Sequence, residues 1–290
     1  MDKKIKELEL TANKIRQDII NLLAVAPSGH TAGPLGMADV FTALYFHVLK
    51  HDPQNPTWAE RDRLLLSNGH ICPVRYVAMH HAGYDITKEE LLTFRKIGSR
   101  LEGHPNMRRI SALETSSGPL GEGLSVACGF ALSAKVNKEN HHIWCLTSDG
   151  EHEEGMTWEA VMLAAKYNLH NLTVVIDRNN IQIDGTTEDI MPLESLAYKY
   201  RAFNWHVLEI NGNDIREIIS AMEQAKAITE RPTVIIANTI PGKGVSFMEK
   251  DYRWHGVPPG SGPEDKVKKA DQVEEALKEL KAIEDNILGN

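Results

Sequence analysis

Two polar residues, 30 positions apart, are the part of this sequence best suited to chemistry. Asp149 follows the apolar run HIWCLTS and begins an Asp-Gly pair, and Asn179 follows the next apolar run in the triplet RNN. Carboxylate and amide oxygens, with a backbone carbonyl, are hard ligands that Mg²⁺ prefers, and Mg²⁺ commonly completes its octahedron with substrate phosphates. Gly150 lets the backbone approach a phosphate closely. Alone, Asp-Gly indicates a turn and Asn-Asn a loop, but together the two segments favour a metal and phosphate site.

The surrounding elements predict how the two side chains meet. The runs LTVVI and TVIIA are continuously apolar, which is typical of strands buried on both faces of a parallel sheet. Strands alternate with helical patterns, which predicts an α/β fold, doubly wound, with a mostly parallel sheet and helices on both faces. Ligands of such sheets bind beyond the carboxyl ends of the strands. Because one crossover helix separates residues 149 and 179, neighbouring strand ends can bring them to one point.

Four histidines lie in loops that this fold would turn toward a ligand. They are His30 in SGHTAG, His70 in SNGH, His104 in EGHP and His255 in WHGVPP. A single loop histidine is usually a surface residue. Several at ligand-facing loop ends suit recognition of phosphate, hydroxyl or carbonyl groups and proton transfer near neutral pH.

Three other motifs are incomplete. The stretch HEEGM begins like the zinc motif HExxH but ends in methionine, and Gly242-Lys243 lacks the first glycine and the Ser/Thr of a Walker A loop. The glycines at 118, 121 and 123 are not in GxGxxG order, although a glycine-rich turn at a helix start can still cradle phosphate. The acidic stretch at positions 151–153 is expected to be a solvated turn.

Composition narrows the class of protein. The 290 residues carry a net charge of −8 without a basic block, which argues against a nucleic-acid partner. The three cysteines form no CxxC pair and are expected to be buried, reduced thiols. No apolar run approaches the ~18 residues of a membrane span, and MDKKIKELEL has no signal-peptide core, so we expect a cytoplasmic protein without a membrane partner. We expect one α/β domain over residues 1–262 and an amphipathic helix within 263–290 packed on it.

The order of the motifs resembles that of the transketolase family. The similar segments are, in order, SGHTAGPLG, RDRLLLSNGH, EGHP, ETSSGPLGEGL, SDGEHEEGMTWEA, DRNNIQIDG and WHGVPP, from about residue 10 to 260. The resemblance implies the thiamine diphosphate-binding fold, with thiamine diphosphate and Mg²⁺ (or Ca²⁺ or Mn²⁺) as cofactors. It also implies reversible transfer of a two-carbon ketol unit from a ketose phosphate to an aldose phosphate, as in the pentose phosphate pathway.

The same resemblance implies roles for individual residues. The metal would be held by Asp149, Asn179 and the backbone carbonyl of Ile181. Leu120 and Ile183 would pack against the cofactor rings. Other cofactor contacts, mainly to the diphosphate, are expected from His70, Gly118, Gly150 and His255.

The implied catalytic residues surround the cofactor. His30, His104 and His255 would line the channel to the reacting carbon and contact the sugar oxygens. Glu154 would link the two cofactor sites of a dimer.

The chain also departs from the family. Transketolases are usually more than twice as long, and their second α/β domain carries the glutamate that activates the pyrimidine ring. We therefore expect one subunit of a split transketolase, with a second chain supplying the pyrimidine-binding half in an α2β2 assembly. Ser148 stands where the family usually has glycine, and SGHTAG stands where it has SGHPG. The alternatives are a related thiamine diphosphate enzyme subunit (2-oxo acid dehydrogenase α-type or deoxyxylulose-phosphate synthase-like) and a cofactor-binding module inactive alone.

Overall fold

Five parallel strands form the central sheet of the computed structural model, which describes residues 3–289. The strands are β1 (Arg63–Leu66), β2 (Ile143–Ser148), β3 (Leu172–Arg178), β4 (His206–Asn211) and β5 (Thr233–Asn238). Their order across the sheet is β1-β2-β3-β5-β4, and every neighbouring pair is parallel. In the β2–β3 pair, Ser148 lies opposite Asp177, so these two strands end level with each other. The predicted parallel sheet is therefore confirmed.

Helices connect the strands. Before β2 they are α1 (Lys3–Val25), α2 (Ala32–Gly36), α3 (Ala38–Ala43), α4 (Cys72–His81), α5 (Lys88–Leu91) and α6 (Glu122–Asn137). After β2 they are α7 (Gly155–Lys166), α8 (Thr187–Ile190), α9 (Leu196–Ala202), α10 (Ile215–Ala227) and α11 (Gln272–Gly289). Leu44–Val48 continues α3 as a π-helical turn, and short 3₁₀ turns cover Gly69–Ile71, Gly150–Glu153, Tyr252–Trp254 and Lys269–Asp271. Among residues 3–289, no helix is both long and apolar enough to cross a membrane.

The two faces of the sheet pack against different helices. Val174 and Ile176 of β3 belong to a core formed with α6, α7 and α9. Val175, between them, belongs to the larger core formed with α1, α3, α4 and α10. Successive side chains of a strand point to opposite faces, so an unbroken apolar run is what a sheet covered on both sides requires. This confirms the doubly wound arrangement.

A turn separates the helices α4 and α5. The first ends at His81, and Gly83 then adopts φ +90°, a left-handed conformation that glycine reaches without strain. The second begins after Thr87, whose hydroxyl accepts a hydrogen bond from the Glu90 N–H as an N-cap. Residues 97–120 contain no helix or strand, and the three cysteines are buried free thiols.

The C-terminal helix α11 lies against α1. Leu280 is fully buried in this contact, and its carbonyl accepts a 2.9 Å hydrogen bond from the Asn13 side chain. Ala276, one turn earlier, is equally buried, so one face of α11 is part of the larger core.

A pair of substitutions in α11 tests this packing. Leu280→Ala, at a position with 0% exposure, should lower the free energy of unfolding by about 3 kcal/mol, because the cavity cannot fully collapse. Leu288→Ala, at a position with 55% exposure, is the matched control and should change it by less than about 0.5 kcal/mol. Urea unfolding measures both. Equal effects of the two substitutions would contradict the packing of α11.

Candidate functional site

A cavity of about 270 Å³ lies beyond the carboxyl ends of β2 and β3. Its walls are the turn 148–150 after β2, the hairpin 179–184 after β3, Leu120 from the loop before α6, and two histidines. A larger cleft, of about 740 Å³, lies between residues 246–247 and 266–279 and contains none of the predicted site residues. The position of the smaller cavity is the one that the topology of a doubly wound sheet favours for a ligand.

Nine of the twelve residues predicted for the site line this cavity. They are His70, Leu120, Asp149, Gly150, Glu154, Asn179, Ile181, Ile183 and His255. The other three lie beside it. The His30 ring is centred 4.7 Å from that of His70 and 5.2 Å from that of His255. A Cβ atom at Gly118 would lie 3.8 Å from the His104 ring. The roles of the twelve residues stay predictions, but the fold places them in one region.

The Asp149 carboxylate is almost completely buried at the floor of the cavity. Its Oδ1 accepts a 2.8 Å hydrogen bond from the Gly150 N–H, and its Oδ2 accepts from the Asn180 N–H at 2.6 Å and the Arg178 guanidinium at 3.3 Å. Burial raises the pKa of Asp149 to about 6, although these donors oppose the rise. A carboxylate offers about four acceptor positions, so three donors leave room for a cation.

The hairpin after β3 fixes the direction of the Asn179 amide. Its Nδ2 donates to Asp177 Oδ2 at 2.9 Å, and its Oδ1 accepts from the Ile181 N–H at 3.0 Å. Asn180 turns the chain with φ +64°, a region that asparagine tolerates better than most residues. A bridge between Ile181 and Thr186 closes the hairpin. Asp177 therefore determines which end of the amide is presented as oxygen.

The oxygen donors predicted here suit a hard divalent cation. They are the carboxylate of Asp149, the amide oxygen of Asn179 and the backbone carbonyl of Ile181, and all three residues line the cavity. No group of three His, Cys, Asp or Glu side chains in residues 3–289 has the geometry to hold a metal ion. A cation in this cavity would depend on amide and carbonyl oxygens and on ligand phosphates, which is typical of Mg²⁺.

The three histidines 30, 70 and 255 form a half-buried cluster beside this oxygen-rich floor. Burial lowers the pKa of His30 to about 3 and that of His255 to about 4, and it lowers the pKa of His70 well below its usual value. The Nδ1 atoms of His30 and His255 are buried without a hydrogen-bond partner among the described residues. Neutral rings with unpaired nitrogens can accept or donate hydrogen bonds to a ligand.

Two apolar side chains complete the cavity. Leu120 is 36% exposed and Ile183 is 68% exposed, on walls that belong to different loops. Glu154 is exposed at the same cavity. Exposed apolar residues facing a cleft are suited to covering the faces of a ring.

The expectation of a solvated turn at 151–153 is wrong for Glu151 and His152, which are both buried. The Glu151 carboxylate accepts hydrogen bonds from the N–H groups of Gly121 (2.7 Å) and Ser148 (3.2 Å) and from the Ser67 hydroxyl. It therefore joins the ends of β1 and β2 to the loop before α6. Sequence reasoning missed this residue because Glu151 and the partly exposed Glu153 carry the same local signal.

Two glycines at the start of α6 allow this junction to form. Gly121 has φ +86°, which most side chains would not tolerate, and a Cβ atom at Gly123 would lie 2.3 Å from the Ser67 side chain. The Gly123 N–H donates to the Ser67 hydroxyl at 3.1 Å. These glycines let the loop carrying Leu120 come close to the end of β1.

Together, the oxygen-rich floor, the neutral histidines and the apolar walls belong to a doubly wound α/β domain that binds a phosphate-bearing organic cofactor through a divalent metal. Comparison with known proteins supplies the family. Residues 8–277 match the family described as the transketolase thiamine diphosphate binding domain, and the chain belongs to this family. Thiamine diphosphate with a divalent metal is therefore its cofactor set.

Relatives of two lengths resemble the chain. It is 39% identical over 277 residues to one subunit of the apulose-4-phosphate transketolase of Phocaeicola vulgatus, covering 95% of this chain and 94% of that protein. It is 42% identical to the 6-deoxy-6-sulfo-D-fructose transketolase subunit SqwG of a Clostridium species, covering 87% and 91%. The crystal structure of Campylobacter jejuni transketolase superposes with a TM-score of 0.84 at 34% identity, over 100% of this chain but 48% of that one. The chain thus spans about half of a long transketolase and nearly all of each of these shorter relatives.

The histidine cluster predicts how stability depends on pH. Because the native pKa values of His30 and His255 lie below the unfolded value near 6.5, their contribution is present above pH 6.5 and is lost as the pH falls toward 4. His30→Gln should reduce the slope of unfolding free energy against pH by about 1 kcal/mol per unit between pH 6.5 and 4.5. Denaturant unfolding at several pH values measures it.

Ser28→Ala, two residues away, is the control because it changes the same loop without removing a titrating group. It should shift the curve without changing its slope. Parallel curves for wild type and His30→Gln would contradict the neutral state of His30 in the folded protein.

Proposed function

We propose that this chain is the diphosphate-binding subunit of a split transketolase. Paired with a second chain that carries the pyrimidine-binding domain, it transfers a two-carbon ketol unit from a ketose phosphate to an aldose phosphate. The observation that carries the proposal is the meeting of nine predicted cofactor and metal residues in one cavity of a transketolase-family domain. We place the assembly in the cytoplasm.

The comparisons support a split enzyme. The match extends over 94% of one relative named as a subunit and 91% of the other, but over 48% of a long transketolase. Both relatives named as subunits act, by their names, on anionic sugars, one a sugar phosphate and the other a sulfo-sugar. We propose anionic sugars as substrates here too. A cofactor-binding module inactive alone remains the second candidate for the isolated chain.

Each residue has a role that its surroundings suit. Thiamine diphosphate supplies an electron sink for breaking and forming a carbon–carbon bond beside a carbonyl. Asp149, Asn179 and the Ile181 carbonyl would hold Mg²⁺. A Cβ atom at Gly150 would contact only Gln182, so the packing of the protein does not itself require glycine there. The glycine would instead let the backbone approach the diphosphate.

The polar and the apolar residues of the cavity would have different roles toward the substrate. The neutral His30, His104 and His255 would contact sugar oxygens, since burial lowers the pKa of each and a neutral ring offers one hydrogen-bond donor and one acceptor. Exclusion of water by the apolar residues Leu120 and Ile183 would strengthen these polar contacts.

An apolar surface beside the site suits a partner. Helices α6 and α7 pack together and expose Val126, Met156, Met162 and Leu163, while Gly129 has open space above it. Exposed apolar side chains on two helices that pack together suit a protein interface. Glu154 is the residue immediately before α7, so this surface adjoins the cavity. We propose that it is covered in an α2β2 assembly, where Glu154 links the two cofactor sites.

A reconstituted assay tests the function. The chain with its partner, Mg²⁺ and thiamine diphosphate should transfer the two-carbon unit from xylulose 5-phosphate to ribose 5-phosphate, and the chain alone should not. Asp149→Ala should abolish metal-dependent cofactor binding, measured by calorimetry, because it removes the charged ligand. Asp285→Ala, an exposed position in α11, is the control and should retain binding. Activity of the chain alone, or metal-dependent binding by Asp149→Ala, would refute the proposal.

Charge on the α6–α7 surface tests the assembly. Met162→Glu, at a position 56% exposed, should weaken association with the partner at least about tenfold, because a carboxylate would be buried in an apolar contact. Tyr198→Glu, on the exposed side of α9, should assemble normally. Light scattering after gel filtration gives the mass of each complex. Normal assembly of Met162→Glu would exclude this surface as the interface.

A further inference from the structure

Arg178 is a buried cation beside the proposed metal ligand Asp149. Its side chain is 4% exposed, although it is the last residue of β3. Its Nη1 donates to Asp149 Oδ2 at 3.3 Å and to the Thr187 hydroxyl at 2.8 Å. Its Nη2 donates to Glu188 at 2.9 Å and to Glu194 at 2.8 Å. One guanidinium therefore joins the end of β2 to the segment 187–194.

The carboxylates around Arg178 offset its positive charge, which would otherwise oppose metal binding. A cation next to a metal ligand would by itself repel a second cation. Here the single positive charge faces the carboxylates of Asp149, Glu188 and Glu194, so the group carries a net charge of −2 when all three are ionised. The excess negative charge remains available to a divalent ion, while the guanidinium holds the three carboxylates apart.

The segment that Arg178 closes contains the other ligand positions. The hairpin from Asn179 to Thr187 includes the Ile181 carbonyl and the Ile183 side chain, and the Thr187 N–H donates to the Asn180 carbonyl at 3.1 Å. The Arg178 side chain adds a second closure at Thr187, which is fully buried. Glu188 also accepts from the Leu193 N–H at 3.2 Å, so the chain beyond the hairpin folds back onto the same guanidinium.

We propose that Arg178 is a positioning residue for the divalent-cation site. It orients the Asp149 carboxylate and holds the ligand-bearing hairpin closed, without touching metal or substrate. The inference rests on the proposed metal site. Groups that orient metal ligands typically change metal affinity by about 10- to 100-fold when they are replaced. A planar fork with several fixed donors suits this task, and a lysine ammonium does not reproduce it.

Mn²⁺ binding in the presence of thiamine diphosphate tests the proposal. The full-length chain with its partner is titrated with Mn²⁺, and free Mn²⁺ is followed by electron paramagnetic resonance. Arg178→Gln should raise the Kd about 10- to 100-fold, and Arg178→Lys, which keeps the charge but not the fork, should lie between it and wild type. The double variant Glu188→Gln/Glu194→Gln, which weakens the contacts of Arg178 with the chain beyond the hairpin but leaves the Asp149 pair, should also raise the Kd. At saturating Mn²⁺ and cofactor, kcat should recover.

Arg201→Gln is the matched control, since Arg201 forms an exposed 3.0 Å ion pair with Glu209, and it should leave the Kd unchanged. A Kd for Arg178→Gln within about twofold of wild type, or tighter, would overturn the proposal. So would a result in which Arg178→Gln and Arg178→Lys lower the metal-free Tm equally and leave the Kd of the folded protein unchanged, because that indicates a structural role alone.

Mn²⁺ binding by wild type and by Asp149→Ala distinguishes failure of the Arg178 proposal from failure of the proposed function. A wild-type complex that binds no Mn²⁺ overturns both proposals. Binding by wild type, none by Asp149→Ala and normal binding by Arg178→Gln overturns only the role of Arg178.

Discussion

The Asp149 N–H donates to the Asp177 carbonyl at 3.1 Å, and the site is built outward from this last contact of the β2–β3 ladder. It fixes where the chain leaves β2 relative to where it leaves β3. Because the strands are parallel and end level, the turn after one and the hairpin after the other face the same space. A slip of one residue in this pairing would turn Asp149 to the other face of the sheet and separate it from Asn179.

Three buried carboxylates near this contact differ in their hydrogen-bond partners. The difference distinguishes the carboxylates that hold the fold together from the one proposed to bind the metal. Glu151 accepts from two N–H groups and a hydroxyl that belong to three segments, so it holds loops together. Asp177 accepts from Thr239 and Asn179, and burial raises its pKa to about 7. Of the three, Asp149 borders the cavity and faces the Arg178 cation. Its burial gives a cation more to gain there than at an exposed carboxylate, because the ionised form lacks water.

The fold and the centre of the site follow from local patterns. Continuous apolar runs specify strands covered on both faces, and the rule for strand ends then brings Asp149 to Asn179. The residues that sequence reasoning missed depend on distant parts of the chain. Glu151 needs donors from Ser67 and Gly121, and Arg178 needs the returning segment that carries Glu194. Neither partner set has a fixed spacing, so nothing local distinguishes these residues from an ordinary charged turn.

Exposed apolar side chains lie both at the cavity and on the α6–α7 surface, and they connect cofactor binding with assembly of the two chains. Ile183 and Leu120 lie at the cavity, and the exposed residues of α6 and α7 adjoin it through Glu154. A cofactor ring covering the first pair would leave the second surface in water, and a partner covering the second would narrow access to the first. In the proposed assembly the cofactor contacts both chains, because the partner carries the pyrimidine-binding domain. We therefore expect cofactor to tighten association of the two chains, and by linkage association to tighten cofactor binding by the same factor.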